Sequence, residues 1–253
     1  MKNPTHMPVH KALRKAYARS LVAPRVDDAG KRRGVPRSVK SLAQGLPRWR
    51  SGHLPEDIDP WVWSDQHLGH VNIIEYCNRP FRDVAEMDEA LFSAWEAQVG
   101  TDDWVVFVGD LAMGRALNEG TFERVRCLPG KRKILVPGNH DVTAKGGVLR
   151  VEGFDAVYAM LFAAGEPQLV FTHVPLREVP DGWVNIHGHT HDRPATNTPH
   201  INVSVEQLYF APVRLSRLRR LAKALAAGRY TSGETTLERL EALEQPVKQR
   251  AER

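Results

Sequence analysis

Short apolar runs separated by polar segments predict the strands of this chain. Residues 104–108 are continuously apolar, which indicates a strand that is buried on both faces. Residues 156–162 have a weaker pattern and are predicted as one further strand. The remaining predicted strands are 61–64, 133–136, 169–172, 184–187 and 201–205.

Apolar residues recur at helical spacing between these strands. In 83–99, Leu91 and Trp95 fall near one face, and Asp83 is a suitable N-terminal cap. Helices are also predicted over 10–21, 121–128, 214–226 and 235–244. Strands that alternate with helices are typical of an α/β layered fold, in which ligands collect beyond the carboxyl ends of the strands.

Charge divides the chain into a basic beginning and an acidic remainder. Residues 1–50 contain 13 Lys and Arg against 2 Asp and Glu, a difference of +11, whereas the whole chain has a net charge of +5. We therefore predict a basic, partly disordered arm over 1–56, a domain over 57–211 and a C-terminal helical extension over 212–253 that packs on the domain. The arm is a candidate for binding nucleic acid, and a solvated tail is the alternative. Helix 214–226 has the same two interpretations: its basic face binds nucleic acid, or that face is only solvated.

Composition narrows the class of protein further. The hydrophobic content of 42% and the charged content of 26% are typical of a soluble globular protein. No apolar run approaches the roughly 20 residues that cross a membrane, so no membrane partner is expected. Two cysteines without a CxxC spacing favour the reducing cytoplasm.

Five short stretches place metal-ligating residue types at, or just after, the end of a predicted strand. They are Asp65–His67, Gly109–Asp110, Gly138–Asp141, Thr172–His173 and Gly188–His191. A single buried histidine is usually structural, but five such stretches together predict a two-metal site, which activates water and binds a phosphoryl group. A carboxylate that closes a buried strand, as Asp110 does, must be paired or metal-bound to offset the cost of burial.

This ordered set of motifs, DxH, GD, GNHD, a later His and GHxH, resembles that of the calcineurin-like metallophosphoesterases. Residues 64–74 and 76–81, together with 202–205, resemble a small bacterial and phage subgroup of that family. The resemblance implies a four-layer α-β-β-α sandwich, in which two facing mixed sheets are flanked by helices. It does not extend over residues 1–56 or the last 40 or so.

The resemblance also implies a ligand set and a mechanism. One cation would be held by Asp65, His67, Asp110 and His191, and the other by Asp110, Asn139, His173 and His189. A metal-bridging hydroxide would attack the phosphate ester, and His140 would stabilise the transition state or protonate the leaving oxygen. Nitrogen and oxygen ligands suit Mn²⁺, which we favour, as well as Fe, Zn²⁺ or Ni²⁺.

Six further residues are predicted near the substrate or behind the ligands. Arg79 and Arg82 are candidates for a phosphate fork, with loop structure and surface charge as the alternatives. Asp141 is expected to orient His140 or its loop. The other three are His70, Asn72 and His187.

The favoured function is a phosphodiesterase that acts on a nucleotide or nucleic acid. Its support is the basic charge at both ends of the chain, which suits a polyanion. The alternative is a phosphomonoesterase that acts on a protein or a small nucleotide. A binding scaffold without catalysis is the remaining hypothesis, and the complete ligand set argues against it.

Overall fold

A computed structural model describes residues 7–26, 31–113, 119–149, 153–194, 196, 198–229 and 232–245. Its strands are β1 Arg25–Val26, β2 Arg32–Arg33, β3 Ser51–His53, β4 Trp61–Trp63, β5 Trp104–Phe107, β6 Arg132–Leu135, β7 Ala156–Val157, β8 Met160–Ala163, β9 Gln168–Thr172, β10 Trp183–His187, β11 His200–Asn202 and β12 Val213–Arg214. Its α-helices are α1 Met7–Val22, α2 Arg37–Gly45, α3 Val71–Tyr76, α4 Val84–Gln98, α5 Glu119–Cys127, α6 Leu215–Ala226 and α7 Thr236–Glu244. Short 3₁₀ helices occupy Leu46–Arg48 and Val205–Leu208.

Two five-stranded mixed sheets form the centre of the molecule. The first has the order β12-β4-β5-β6-β7, and only β12 runs antiparallel to its neighbour. The second has the order β11-β10-β9-β8-β3, and only the β8–β9 pair is antiparallel. The parallel strands β4, β5 and β6 therefore end at one edge of the first sheet, and β9 and β10 end together in the second.

The main hydrophobic core joins the two sheets and includes Phe107 of β5 and Phe171 of β9, both fully buried. Helix α4 covers the first sheet, where the Trp95 ring meets the Trp63 ring edge-on at 5.7 Å between centroids. Helix α6 buries Leu218 in the same core. These layers confirm the predicted α/β fold of two mixed sheets with flanking helices.

Helix boundaries follow the capping signals of the sequence. Helix α4 begins after Asp83, whose side chain accepts a hydrogen bond from the backbone N–H of Glu86. Helix α7 begins after Thr235 with a full capping box to Glu238. Each cap satisfies N–H groups that the first helical turn leaves without a partner. None of the described helices combines the length and apolar character needed to cross a membrane.

The N-terminal segment differs from the predicted arm. Helices α1 and α2 pack on the second sheet through a separate core that contains Leu13, Tyr17 and Leu42 together with Met160 of β8. Strand β3 pairs with β8 and forms the edge of that sheet. The high basic content of this segment did not indicate these contacts, although Leu13, Tyr17 and Leu42 are buried on the inward helix faces.

Two strand predictions were wrong in detail. Residues 156–162 form two strands in different sheets, because the backbone N–H of Tyr158 bonds to β6 at Leu135 O while that of Ala159 bonds to Arg50 O. The strand predicted over 201–205 ends at Asn202, whose Oδ1 accepts a hydrogen bond from the backbone N–H of Ser204. The first difference arises from pairing with distant segments, and the second from a hydrogen bond that is local to residues 202–204.

Candidate metal centre

The five motif-bearing stretches meet where the two sheets end side by side. Strands β4, β5 and β6 lead into the loops of Asp65, Asp110 and Asn139, and β9 and β10 lead into those of His173 and His189. An isolated parallel bridge between Ser64 and Ser204 ties the two edges together. The expectation that these residues lie beyond strand ends is confirmed.

Two groups of three side chains each bring one potential ligand atom within 4.8 Å of one another. Asp110 lies beside both groups, since its Oδ2 is 3.7 Å from His67 Nε2 and 3.2 Å from His173 Nε2. A carboxylate in this position can contact two cations at once. The two groups are Asp65, His67 and His191, and Asp110, His173 and His189.

Several buried polar atoms at this site have no hydrogen-bond partner within the described residues. A buried polar atom without a partner costs free energy unless a ligand satisfies it. His67 Nε2 lies 3.8 Å from Asp65 Oδ1 and 3.7 Å from Asp110 Oδ2, and all the unpartnered atoms are nitrogen or oxygen donors of the kind that first-row cations accept. They are Asp65 Oδ1, His67 Nε2, Asn139 Oδ1 and His173 Nε2.

Three of the histidines are oriented through their Nδ1 atoms. His173 Nδ1 lies 2.7 Å from Val108 O, and His191 Nδ1 lies 3.1 Å from Glu206 Oε1. His67 Nδ1 lies 3.3 Å from His70 Nδ1. A partner on Nδ1 leaves Nε2 to face the site, which is the usual arrangement behind metal-ligating histidines. Cys77 also approaches His191 and Glu206, but Glu206 Oε1 already accepts from Arg79.

One carboxylate oxygen of Asp65 accepts hydrogen bonds, and the other faces the candidate metal site. Its Oδ2 accepts hydrogen bonds from Ser64 Oγ at 2.5 Å, Ser204 Oγ at 2.9 Å and His189 N at 2.9 Å. This leaves Oδ1 directed at the site. Gly188 permits the approach, because a Cβ there would lie 2.2 Å from Asp65 Oδ2.

The backbone at the candidate ligands is unusual. Of the eight non-glycine residues with positive φ in the described chain, five are predicted metal ligands. Such conformations are unfavourable for residues with a Cβ and concentrate at functional sites. The loops therefore accept local strain to aim these side chains. The five are Asp65, His67, Asp110, His189 and His191.

The electrostatics of the site favour bound cations. Burial alone would raise the pKa of the Asp65 and Asp110 carboxyls, but nearby histidines, led by His191 and His173 respectively, hold both pKa values well below the usual range. Burial alone would lower the pKa of His173, but Asp110 and Asp65 outweigh it and raise that pKa to about 9. The two carboxylates are thus ionised and are stabilised by positive charge. A metal ion supplies that charge when it displaces the histidine protons.

Asp141 holds the loops rather than the His140 ring. Its carboxylate accepts from the backbone N–H groups of Asp110 at 2.7 Å, Gly138 at 2.8 Å and Leu111 at 3.2 Å. Burial, followed by the charge of Asp110, raises the pKa of Asp141 to about 6. Of the two roles predicted for Asp141, the structure supports the loop role.

His140 lies beside Asp110, and its side chain is more exposed than those of His67, His173 and His191. Its backbone N–H donates to Asp110 Oδ1 at 2.8 Å, and its Nε2 lies 4.0 Å from Asp110 Oδ2. Its side chain is 28% exposed, whereas that of His173 is fully buried. The imidazole is therefore beside the site and open to a ligand that arrives from solvent.

Of the other residues predicted around the ligands, two histidines lie close to the ligand loops and one asparagine lies on the surface. His70 contacts His67, and His187 is buried with its Nδ1 2.8 Å from Gly188 O. Burial lowers the pKa of each of these two histidines to about 4, which favours neutral rings behind the site. Asn72 is exposed in the first turn of α3.

The two predicted phosphate-fork arginines have different structural roles. Arg79 is buried, donates to the carbonyls of Asp65 at 2.7 Å and Gln66 at 2.8 Å, and pairs with Glu206 at 2.7 Å. Arg82 has an 84% exposed side chain and pairs with Glu86. Arg79 therefore has the structural role that was the alternative to a phosphate fork, and Arg82 lies on the surface, where its fork role stays a prediction.

Sequence reasoning missed two residues that support the ligands. Glu206 links Arg79 to His191, and the Ser204 hydroxyl donates to Asp65. Ser204 belongs to the stretch 202–205 that resembled the subgroup, which was a usable signal. Glu206 lies in a 3₁₀ helix far along the chain from its partners, and no motif marks it.

Replacing Arg79 with methionine is expected to reduce stability by about 3–5 kcal/mol, because the buried Glu206 carboxylate would lose its arginine partner. For a domain of this size that corresponds to a fall in Tm of roughly 10 °C. Thermal denaturation measures the effect. The matched control is Arg82→Met, which removes only an exposed ion pair and should leave Tm nearly unchanged. Equal Tm values for the two variants would contradict the buried role of Arg79.

Carboxylate, amide and imidazole groups gather where the strands of the two mixed sheets end side by side. This arrangement defines a class of layered α/β proteins that hold metal ions at their strand ends. The sequence model of the calcineurin-like phosphoesterases matches residues 60–222, and the chain belongs to this family. Membership supports metal-dependent hydrolysis of phosphate esters. The predicted family resemblance is thus confirmed.

The chain is similar to several proteins of the same kind. An uncharacterized protein of Methanocaldococcus jannaschii is 34% identical over 168 residues, which cover 64% of this chain and 89% of that protein. The Gene 66 protein of Mycobacterium phage L5 is 30% identical over 162 residues, or 52% of this chain and 76% of that protein. A crystal structure of a protein of unknown function from Aquifex aeolicus has a similar fold, with a TM-score of 0.53, 20% identity and coverage of 65% of this chain and 100% of that one.

Proposed function

We propose that the site binds two divalent cations and that the protein hydrolyses phosphodiesters of a nucleotide or nucleic acid. The observation that carries the hydrolytic centre is the position of Asp110 between two groups of convergent donor atoms. One cation is assigned to Asp65, His67, Asp110 and His191. The other is assigned to Asp110, Asn139, His173 and His189.

The residues present fit such cations. Asp65 Oδ1, His67 Nε2 and Asn139 Oδ1 are buried and make no hydrogen bond within the described chain, and His173 Nε2 lies 3.2 Å from Asp110 Oδ2, the oxygen proposed to be shared. Divalent ions in this position would supply Lewis acidity that activates water and draws charge from a phosphoryl group. We favour Mn²⁺, and Fe, Zn²⁺ or Ni²⁺ suit the same donors.

His140 is proposed as the catalytic residue. The partly exposed imidazole adjoins Asp110 without belonging to either group of convergent donors. In this position it can donate a hydrogen bond to a phosphoryl oxygen as negative charge develops, or a proton to the leaving oxygen. The backbone bond from His140 to Asp110 keeps the ring beside the centre.

The choice of a diester is supported by the space next to His140 and by the charge of the N-terminal segment. A cavity of about 340 Å³ opens beside this residue and can receive the second substituent of a diester. Exposed cations of the N-terminal segment, among them Lys11, Lys15 and Lys40, favour a polyanion such as nucleic acid. A phosphomonoesterase is the alternative. Both cysteines are free, which supports a cytoplasmic location as part of this proposal.

Protein stripped with EDTA and reloaded with Mn²⁺ is expected to bind about two ions and to hydrolyse bis(p-nitrophenyl) phosphate faster than p-nitrophenyl phosphate. Metal analysis and nitrophenolate release provide the two measurements, and the stripped protein is the control. Trace metal after loading would contradict the two-cation site. Faster cleavage of the monoester would favour a phosphomonoesterase, and metal binding without cleavage of either ester would favour a scaffold.

A further inference from the structure

The N-terminal segment contacts two of the loops that carry candidate metal ligands. Its helices α1 and α2 lie outside the region matched by the family model, which begins at residue 60. Helix α2 contacts the loop after β6, which carries Asn139, and α1 contacts the loop after β9, which carries His173. Both residues are assigned to the second cation, so that half of the proposed centre is supported from outside the family domain.

Helix α2 is held against the loop that follows Asn139. The two backbones are so close that a Cβ on Gly45 would lie 2.4 Å from Gly146 O. Arg48, in the 3₁₀ helix that continues α2, donates to Lys145 O at 3.1 Å. Val142 of the same loop is buried in the core that α1 and α2 form with the second sheet. Helix α2 and this loop therefore form one packed unit.

Ser38, in the first turn of α2, contacts the Asn139 side chain. Together with Arg37 it also lines the cavity beside His140. Asn139 Nδ2 donates to Ser38 Oγ at 3.4 Å, whereas Asn139 Oδ1 has no hydrogen-bond partner among the described residues. An amide coordinates a cation through its oxygen, while its NH₂ group only donates hydrogen bonds. The bond from Nδ2 to Ser38 therefore favours the amide orientation that leaves the oxygen available to a metal ion.

Helix α1 supports the loop of His173. Ser20 Oγ accepts a hydrogen bond from the backbone N–H of Arg177 at 3.0 Å. Tyr17 is 1% exposed and shares a core with Val174, the residue that follows His173. The loop is thus held on α1 by apolar packing and by a hydrogen bond.

The candidate ligands of the first cation are held from within the family domain instead. The His191 carbonyl accepts hydrogen bonds from Asn202 Nδ2 at 2.9 Å and Gln207 Nε2 at 3.1 Å. Asp65 Oδ2 accepts a hydrogen bond from Ser204 Oγ at 2.9 Å. The supports of the two cation positions therefore come from different parts of the chain, and one can be altered without the other.

We propose that the N-terminal segment sets the affinity of the second cation, with Ser38 as the positioning residue that orients Asn139. This inference rests on the proposed function, because it takes Asn139 and His173 as metal ligands. Loss of a group that holds a metal ligand by a hydrogen bond typically lowers metal affinity by about 10–100-fold. Occupancy of the second position then depends on a segment outside the family domain, whereas occupancy of the first does not.

Titration of the metal-free protein with Mn²⁺, followed by electron paramagnetic resonance of the free ion, tests the proposal. The unaltered protein is expected to bind two ions, and Ser38→Ala to weaken one of them by about tenfold while the other keeps its affinity. Ser38→Thr, which retains the hydroxyl, should restore the affinity. Lys40→Ala is the matched control, because Lys40 is exposed on the same helix. Helix α2 has Pro36 and not Ser38 at its N-cap, so the metal-free variants should have equal Tm values.

A double-mutant cycle separates positioning from a general structural effect. Asn139→Ala removes the ligand through which Ser38 is proposed to act, so Ser38→Ala should add no further loss in that background. A further loss of affinity there would overturn the inference. Equal weakening of both ions in Ser38→Ala, or unchanged affinity for both, would overturn it as well.

Turnover distinguishes this inference from the proposed function. If Ser38→Ala weakens one ion as expected but the unaltered protein cleaves neither nitrophenyl ester, the hydrolytic function fails and the inference stands. If the unaltered protein cleaves the diester and Ser38→Ala binds both ions with unchanged affinity, the inference fails and the proposed function stands.

Discussion

Asp110→Asn is expected to lose at least one bound cation and to lower kcat/KM by more than about 100-fold. Losing a group that merely supports a metal ligand already costs about 10–100-fold, and Asp110 is placed as a ligand shared by both ions. An amide has a single oxygen and no charge, so it cannot serve both groups of donors. The remaining imidazoles would also lose the carboxylate that holds the pKa of His173 at about 9.

Metal analysis and diester hydrolysis measure the effect of Asp110→Asn. Asp102→Asn is the matched control, because Asp102 is exposed and precedes the opposite end of β5. Thermal denaturation of the metal-free forms shows whether the variant still folds. A folded Asp110→Asn protein with two ions and undiminished turnover would remove Asp110 from the bridging position.

His140→Ala is expected to keep the bound metal and to lower kcat by about 10²–10⁴-fold, the range of general acid–base catalysis. Metal should be kept because neither group of convergent donors includes His140. Its backbone bond to Asp110 does not depend on the side chain, so the loop should also be retained. Metal analysis beside steady-state kinetics separates this outcome from that of Asp110→Asn.

The leaving group distinguishes the two roles open to His140. Nitrophenolate departs without a proton, whereas an alkoxide needs one. If His140 is a proton donor, the loss in His140→Ala should be larger for a methyl or nucleoside leaving group than for p-nitrophenyl. Equal losses would indicate stabilisation of phosphoryl charge instead. Unchanged turnover for both substrates would exclude His140 from the mechanism.

The N-terminal segment shows how charge can mislead sequence reasoning. Its high basic content led to the expectation of a partly disordered arm, yet Leu13, Tyr17 and Leu42 are buried against the second sheet. Some of its cations hold structure, as Arg14 does by donating to Trp49 O at 2.6 Å. A count of charges does not reveal which face of a helix is apolar or what covers that face.

Arg79 and Glu206 illustrate a second limit. An arginine near a phosphate-handling motif suggests anion binding, but here it pairs with a glutamate 127 positions later. That pair supports His191 from behind. The partner of a buried charge depends on the packing of distant segments, and a local pattern does not contain this information.

The sequence by itself determined the layered α/β fold, the strand ends that bear Asp65, Asp110 and His173, and the family. Those features follow from local periodicity and from motif residues that stand beside their strands. Only the tertiary structure decided which donors converge on Asp110, that Arg79 is buried, and that α2 brings Arg37 to the cavity beside His140. The physical reason is that convergence and burial depend on contacts between residues far apart in the chain, whereas periodicity records only the preferences of neighbours.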